Sequence, residues 1–162
     1  VELLDGWLVR KKPKTPLHSY LTGELRQEFG KLIPAGYFTS TYGSVTLATS
    51  EPEPDISVIR GQRRMFVKRH PQASDAVLLV EVSDTTLAHD RGPKKLIYAK
   101  ANIPQYWVIN LVDQQIEVYR EPDAAAGEYR QQTIHGLKDD LPVIVDGKTI
   151  GTIRLEQLLP TE

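Results

Sequence analysis

Glu81 is the only ionisable residue in an otherwise apolar run, Ala76-Val77-Leu78-Leu79-Val80-Glu81-Val82. A carboxylate in such a run is costly to bury unless it is protonated, paired or bound to a cation. Either a basic side chain holds it as a structural ion pair or it serves a cation site. Alternation along a strand places Val77, Leu79, Glu81 and Ser83 on one face. Asp55 follows Pro54 at the mouth of another strand-like run, and taken alone it reads as a turn residue. Together, two carboxylates on neighbouring strands, with carbonyl oxygens and water, make a hard oxygen site suited to Mg²⁺ or Mn²⁺.

A cation can reach that pair from a helix expected over residues 90–102. At about 100° per residue, Lys94, Ile97, Tyr98 and Ala101 cluster on one side, and Lys95 lies about 100° from Lys94. Lys94 therefore faces inward and Lys95 faces solvent. An inward lysine beside carboxylates forms a structural ion pair, or it orients a nucleophilic water and offsets charge growing on a phosphate. His18, next to Leu17 on the apolar stripe of an earlier helix, reads as a core histidine or as a ligand. Glu24 and Glu28 flank that stripe and read as surface residues within possible reach of a metal. His70, His89 and His135 show no metal-ligand spacing, so zinc is unsupported. Arg60, Arg63, Arg64, Lys68 and Arg69 form a local basic stretch without an acid, which is either a solvated loop or a patch that meets phosphate.

The elements that must hold these residues follow from turn chemistry and periodicity. Asp5-Gly6 between apolar triplets predicts an opening hairpin on a type I′ turn. Lys11-Lys12-Pro13-Lys14 reads as an exposed connector. Thr15 is a candidate N-cap and Pro16 a first helical residue, followed by a stripe of Leu17, Leu21, Leu25, Phe29 and Leu32 that ends between Gly30 and Pro34. Strands are expected over 36–40, 45–49 and 56–60. The run 76–82 is apolar enough to be buried on both faces. After the 90–102 helix, with Pro93 in its first turn, come a hairpin of 106–111 and 115–120, a flexible link at 123–127, a strand at 129–134, a turn at Asp146-Gly147 and a short helix over 154–159. The order predicts a mixed α/β domain, one sheet flanked by helices with additional hairpins, spanning residues 1–162 as a single domain.

Composition narrows the function classes. The chain has 162 residues, a net charge of −1, 40% hydrophobic residues and no cysteine. Disulfide scaffolds, thiolate metal sites and cysteine nucleophiles are excluded. No apolar run approaches the roughly 20 residues of a membrane span, and a cytoplasmic location is the expectation. Residues 1–80 carry 11 Lys/Arg against 8 Asp/Glu, and residues 81–162 carry 9 against 13. Neither half has the strong positive charge of a general polyanion binder. Glycine-rich phosphate loops, nucleophile elbows and dinucleotide fingerprints are absent.

Several segments in fixed order carry a resemblance. They are Pro52-Glu53-Pro54-Asp55-Ile56-Ser57-Val58, Leu79-Val80-Glu81-Val82-Ser83-Asp84-Thr85-Thr86, Asp90-Arg91-Gly92-Pro93-Lys94, Tyr98-Ala99 and Ile103-Pro104-Gln105-Tyr106-Trp107. The chain resembles the Uma-type restriction endonucleases, a branch of the PD-(D/E)XK nuclease superfamily, over nearly its whole length. The resemblance implies a restriction-endonuclease-like fold with a central mixed sheet. It also implies that Asp55 and Glu81 are metal ligands, helped by the Val82 carbonyl. The superfamily's lysine two residues after the second acid is replaced here by Ser83, and Lys94 on the following helix stands as its counterpart. His18 and Tyr98 match common family residues with less defined roles. Gln105 and Asn110 stand where the family commonly has acids, away from the expected metal.

The expected function is metal-dependent hydrolysis of nucleic-acid phosphodiesters, DNA foremost, with Mg²⁺ or Mn²⁺ as cofactor. Cutting both strands of a duplex would call for two subunits, which makes a homodimer the expected assembly. The competing expectation is a catalytically inactive module on the same scaffold, serving nucleic-acid binding or assembly.

Overall fold

The computed structural model of the chain describes residues 1–161. An N-terminal hairpin pairs β1 (Glu2–Leu4) with β2 (Trp7–Val9), and its turn residues Asp5 and Gly6 both take positive φ, as a type I′ turn requires. Helix α1 (Pro16–Leu32) starts where the Thr15 hydroxyl accepts the His18 amide. It buries Leu21, Leu25 and Phe29 completely. The central sheet has the order β3 (Tyr37–Thr41), β4 (Ile56–Arg60), β5 (Ala76–Ser83), β6 (Gln105–Asn110), β7 (Gln115–Asp123) and β8 (Glu128–His135). Every neighbouring pair is antiparallel except β5 and β6. This is the mixed sheet flanked by helices that the element order predicts.

A parallel pair cannot be joined by a tight turn, so β5 must reach β6 through a crossover. That crossover is a helical turn α2 (Leu87–His89), a π-helical turn over Asp90–Lys94 and α3 (Lys95–Lys100). The expectation of one regular helix over 90–102 is thus corrected. Helical structure begins earlier, at Leu87, and Pro93 lies inside a π turn. A proline has no N–H and crowds the carbonyl four residues back, and widening the turn accommodates both effects.

Other expectations are adjusted too. Residues 45–49 form no strand: Thr46 makes one isolated bridge to Gln72, and Leu47 turns back onto Ser50. Residues 123–127 close the β7–β8 hairpin, with Asp123 accepting the Ala126 amide. Val77 faces the opposite side from Leu79, because a bulge shifts the β4–β5 register between Val58 and Ile59. The closing segment is a β9 (Leu141–Val145) and β10 (Lys148–Ile153) hairpin followed by α4 (Leu155–Leu158).

Two apolar clusters cover the two faces of the sheet. On one, α1, the β9–β10 hairpin and α4 enclose Trp107, whose ring meets Phe29 edge-on at 5.6 Å. On the other, α3 and the N-terminal hairpin cover Leu79, Tyr106, Val108 and Tyr119. Gln105 and Asn110 have structural partners. Gln105 bonds Trp107, Arg120 and the Ile144 carbonyl, and Asn110 bonds Asp113 and Glu117.

Glu117 on β7 ties the crossover to the sheet through a two-pronged ion pair with Arg91 of the π turn. Burial alone would raise its pKa, but Arg91, Asn110, Tyr119 and Gln115 together hold it at about 2 instead of the usual 4.5. A depressed carboxylate contributes stability above its unfolded value, and that contribution is lost as pH falls from about 4.5 towards 2. Glu117→Gln should therefore cost up to about 3 kcal/mol at pH 7 and flatten the stability profile in that acid window. Urea unfolding of both proteins between pH 2 and 7 checks this.

Candidate active site

Antiparallel pairing of β4 with β5 brings the two acids together. The ladder pairs Ile56 with Val80, so one step further sets position 55 across from position 81. The backbone confirms the approach at Val82, whose amide donates to Asp55 Oδ2 at 2.7 Å. Neighbouring residues in a strand direct their backbone groups to opposite edges. The Ser83 carbonyl accepts Leu111 on the β6 side, so the Val82 carbonyl is directed to the Asp55 side. Asp55, Glu81 and Val82 all line one cavity of about 330 Å³.

The crossover then delivers Lys94 over this strand end. Its Nζ lies 2.8 Å from Glu81 Oε1 and 2.9 Å from Glu2 Oε1, and it is only 3% exposed. Lys95 stays partly exposed above the Tyr119 ring, the separation of the two lysines expected from helical periodicity. Asp90 fixes the π turn, because its carboxylate accepts the Ser83 and Thr86 hydroxyls while its carbonyl accepts Tyr106. Ser83 is thereby engaged with Asp90. Tyr98 donates its hydroxyl to Glu81 Oε1 at 2.9 Å. His18 Nε2 sits 3.0 Å from Asp55 Oδ2, and its Nδ1 is buried without a partner among the described residues. His18 Nε2 therefore carries the hydrogen that Asp55 accepts.

These contacts set the charges. Burial pushes Glu81 well above the usual carboxylate range, and the nearby Asp55 and Asp90 add to it, with Lys94 opposing. Burial would also raise Asp55, but the His18 hydrogen bond, the Val82 amide and Lys94 bring it below its ordinary value. Burial works against charge on Lys94, yet Glu81, Glu2 and Asp90 raise its pKa, and it remains an ammonium. Tyr98, raised by burial and by Glu81, remains a donor. The two acids are thus displaced in opposite directions, Glu81 by burial and Asp55 by the groups that hydrogen-bond it.

The structure gathers Asp55, Glu81, Val82, Lys94, His18, Ser83 and Tyr98 around one strand end. It does not bring the basic stretch there. Arg60 pairs with Asp146, Arg69 with Asp75, and Arg63 donates to the Thr39 carbonyl. None of Arg60, Arg63, Arg64, Lys68 or Arg69 lines the cavity. Glu28 pairs with Lys31 on the surface, and neither it nor Glu24 reaches the site. Glu2 was the residue the sequence concealed. Its one signal is the two-residue alternation with Leu4, which places both on the inward face of β1.

Comparison with solved structures gives the fold. A crystal structure described as a putative nuclease belonging to DUF820, from Anabaena variabilis, superposes with a TM-score of 0.72 at 15% identity, covering 97% of this chain and 88% of the other. The chain belongs to the Uma2 family, described as "Putative restriction endonuclease", which matches residues 1–147. No curated protein matches the sequence. Among the described residues, no helix is long and apolar enough to cross a membrane.

Proposed function

We propose that this chain is a metal-dependent nuclease of the PD-(D/E)XK type that hydrolyses phosphodiester bonds, with DNA as the first substrate to test. The observation that carries the reading is the buried trio of Asp55, Glu81 and Lys94 at one strand end, open to a cavity. Family membership supports the same class.

The donor set fits a hard divalent cation. Asp55 Oδ2 is taken by Val82 and His18, and Glu81 Oε1 by Lys94 and Tyr98. One oxygen of each carboxylate is left without a protein hydrogen bond among the described residues, and Val82 lines the same cavity. Among the described residues, no group of three or more His, Asp or Glu side chains forms a full cage. Mg²⁺ does not need one, because it keeps several waters and takes one or two carboxylates plus substrate phosphate oxygens. When bound, the ion would polarise the phosphate and acidify a coordinated water.

The protein's own groups do the rest. Lys94 holds a fixed positive charge beside the place where phosphate charge grows, positioned before reaction by Glu2 and Glu81. His18 and the Val82 amide fix the Asp55 carboxylate in the direction of the cavity. Tyr98 holds Glu81 through its hydroxyl hydrogen bond. Cutting both strands of a duplex would need two such sites, which a homodimer supplies.

The second reading, an inactive module on this scaffold, is favoured by two features: Lys94 is clamped by two carboxylates, and no lysine stands at position 83. Calorimetry separates the two. Mg²⁺ or Mn²⁺ added to the wild type should give a binding isotherm that Asp55→Asn weakens at least about tenfold. An inert scaffold gives no isotherm in either protein.

A further inference from the structure

Resting on the nuclease reading, we propose that the segment Arg10-Lys11-Lys12-Pro13-Lys14, together with Trp7, is the track along which an unpaired strand of nucleic acid enters the site. The phosphates lie on the cations and a base stacks on the indole.

The cavity has a divided electrostatic design. Its floor holds the carboxylates, with Asp55 5% exposed and Glu81 3% exposed. Its rim holds cations: Arg10, Lys11, Lys12 and Lys14 all line it, and all but the half-buried Lys11 are exposed. Lys11 is paired with Glu53. Lys12 reaches only the Thr85 carbonyl, and Lys14 lies 3.7 Å above the Tyr42 ring. Among the described residues, Arg10, Lys12 and Lys14 have no carboxylate partner. An acidic floor repels phosphate unless a cation bridges the two, whereas a basic rim attracts it directly. The other basic stretch is a poorer candidate, since Arg60 and Arg69 are already neutralised by acids.

Trp7 supplies the second observation. The chain has two tryptophans. Trp107 is fully buried, but Trp7 is 76% exposed on β2. It stands three residues before Arg10, about 10 Å along an extended chain. The pairing of Glu2 with Val9 turns the open end of the hairpin to the cavity, so β2 leads from the indole to the rim. An exposed aromatic in line with solvated cations is the composition of a single-strand track, in which bases stack and phosphates pair. A duplex hides its base faces from such a ring. A flexible single strand can also dip to the recessed carboxylates, which a stiff duplex cannot do without distortion.

The test uses the full chain carrying Glu81→Gln, so that binding is read apart from cleavage, with a thymidine 20-mer and a 20-base-pair duplex as probes in Mg²⁺ buffer. Because Trp107 is buried, quenching of tryptophan emission reports on Trp7 in the parent protein, and the affinity of every variant is read from the anisotropy of end-labelled probes. The 20-mer should quench emission and bind at least about tenfold more tightly than the duplex, and Trp7→Ala should weaken it by about tenfold or more. A combined Arg10→Ala, Lys12→Ala, Lys14→Ala variant should lower the slope of log affinity against log salt by about 2. Near-ultraviolet circular dichroism checks that each variant is folded, and Trp7→Phe, which keeps a stacking ring, should retain most of the affinity. Equal or tighter duplex binding overturns the proposal. So does unchanged binding by the rim variant when Arg63→Ala, Arg64→Ala, Lys68→Ala weakens it. Binding along the track by a wild type that cleaves nothing would refute the nuclease reading and leave the track standing. Wild-type cleavage indifferent to Trp7 and the rim would do the reverse.

Discussion

Glu81→Gln is expected to reduce cleavage by at least about a thousandfold while leaving the protein as stable as the wild type near neutral pH. The two halves of this result have separate causes. Glutamine keeps an oxygen to accept Lys94 and Tyr98, so the packing at the end of β5 survives. It cannot supply the negative charge needed beside Asp55, so a cation loses one of its two acidic ligands. Stability should not fall, because the Glu81 pKa is raised by burial and by the neighbouring acids. A carboxyl raised in the folded state adds stability below its unfolded value and loses that contribution as pH climbs through the folded value. Burial opposes the charge that glutamine removes, and Lys94 keeps Glu2 as its ionic partner, so a melting temperature close to the wild type's is expected at neutral pH. A simple loss of fold would show as lower melting together with lost activity. Calorimetric melting run beside the cleavage assay separates these outcomes.

Lys94→Met should have the second large effect, and here stability and activity fall together. Lys94 is the common partner of Glu2 and Glu81, both almost fully buried. Methionine matches its length and removes its charge, leaving Glu2 and Glu81 without their shared cation in a poorly solvated place. Breaking a buried ion pair from one side costs about 3–5 kcal/mol. Cleavage should drop by at least about a hundredfold, since the preset positive charge beside the phosphate is gone. The loss of stability should shrink as pH falls below about 4.5, because, against burial, Lys94 holds the Glu2 carboxyl below that ordinary value in the wild type and the variant has no such contribution to lose. Denaturant unfolding at several pH values measures this. A pH-independent deficit would mean that Lys94 acts by packing alone.

Why some of this was legible in the sequence and some was not follows from the range of the interactions. A charge inside an apolar strand is conspicuous because burying it needs a compensating partner, and this exposed Glu81. Helical periodicity is local, and it separated Lys94 from Lys95 even though the crossover contains a π turn that the regular pattern does not encode. Asp55 became meaningful only through strand pairing with β5, a two-element property. Glu2 and the Arg10–Lys14 rim were hidden for a longer-range reason. The hairpin docks through backbone contacts of Leu3 with Glu51 and Gly6 with Thr49, and through the Glu53 amide to Glu2. None of these contacts leaves a mark in side-chain spacing. Residues 45–49 failed as a strand for the complementary reason: their β-branched, apolar composition suits a ladder, but no adjacent strand offers them one beyond the isolated bridge at Thr46.

On the proposed reading, Asp55, Glu81 and Lys94 form a cation-dependent phosphodiester-cleaving centre. Its most direct test is incubation of end-labelled single-stranded, duplex and branched DNA and RNA with wild-type protein, in Mg²⁺ or Mn²⁺ and in chelator, beside Glu81→Gln. At least one of these nucleic acids should be cleaved with metal, none with chelator and none by the variant. Cleavage that persists in chelator or in Glu81→Gln, or no cleavage of any of them by folded, metal-loaded wild type, would contradict it.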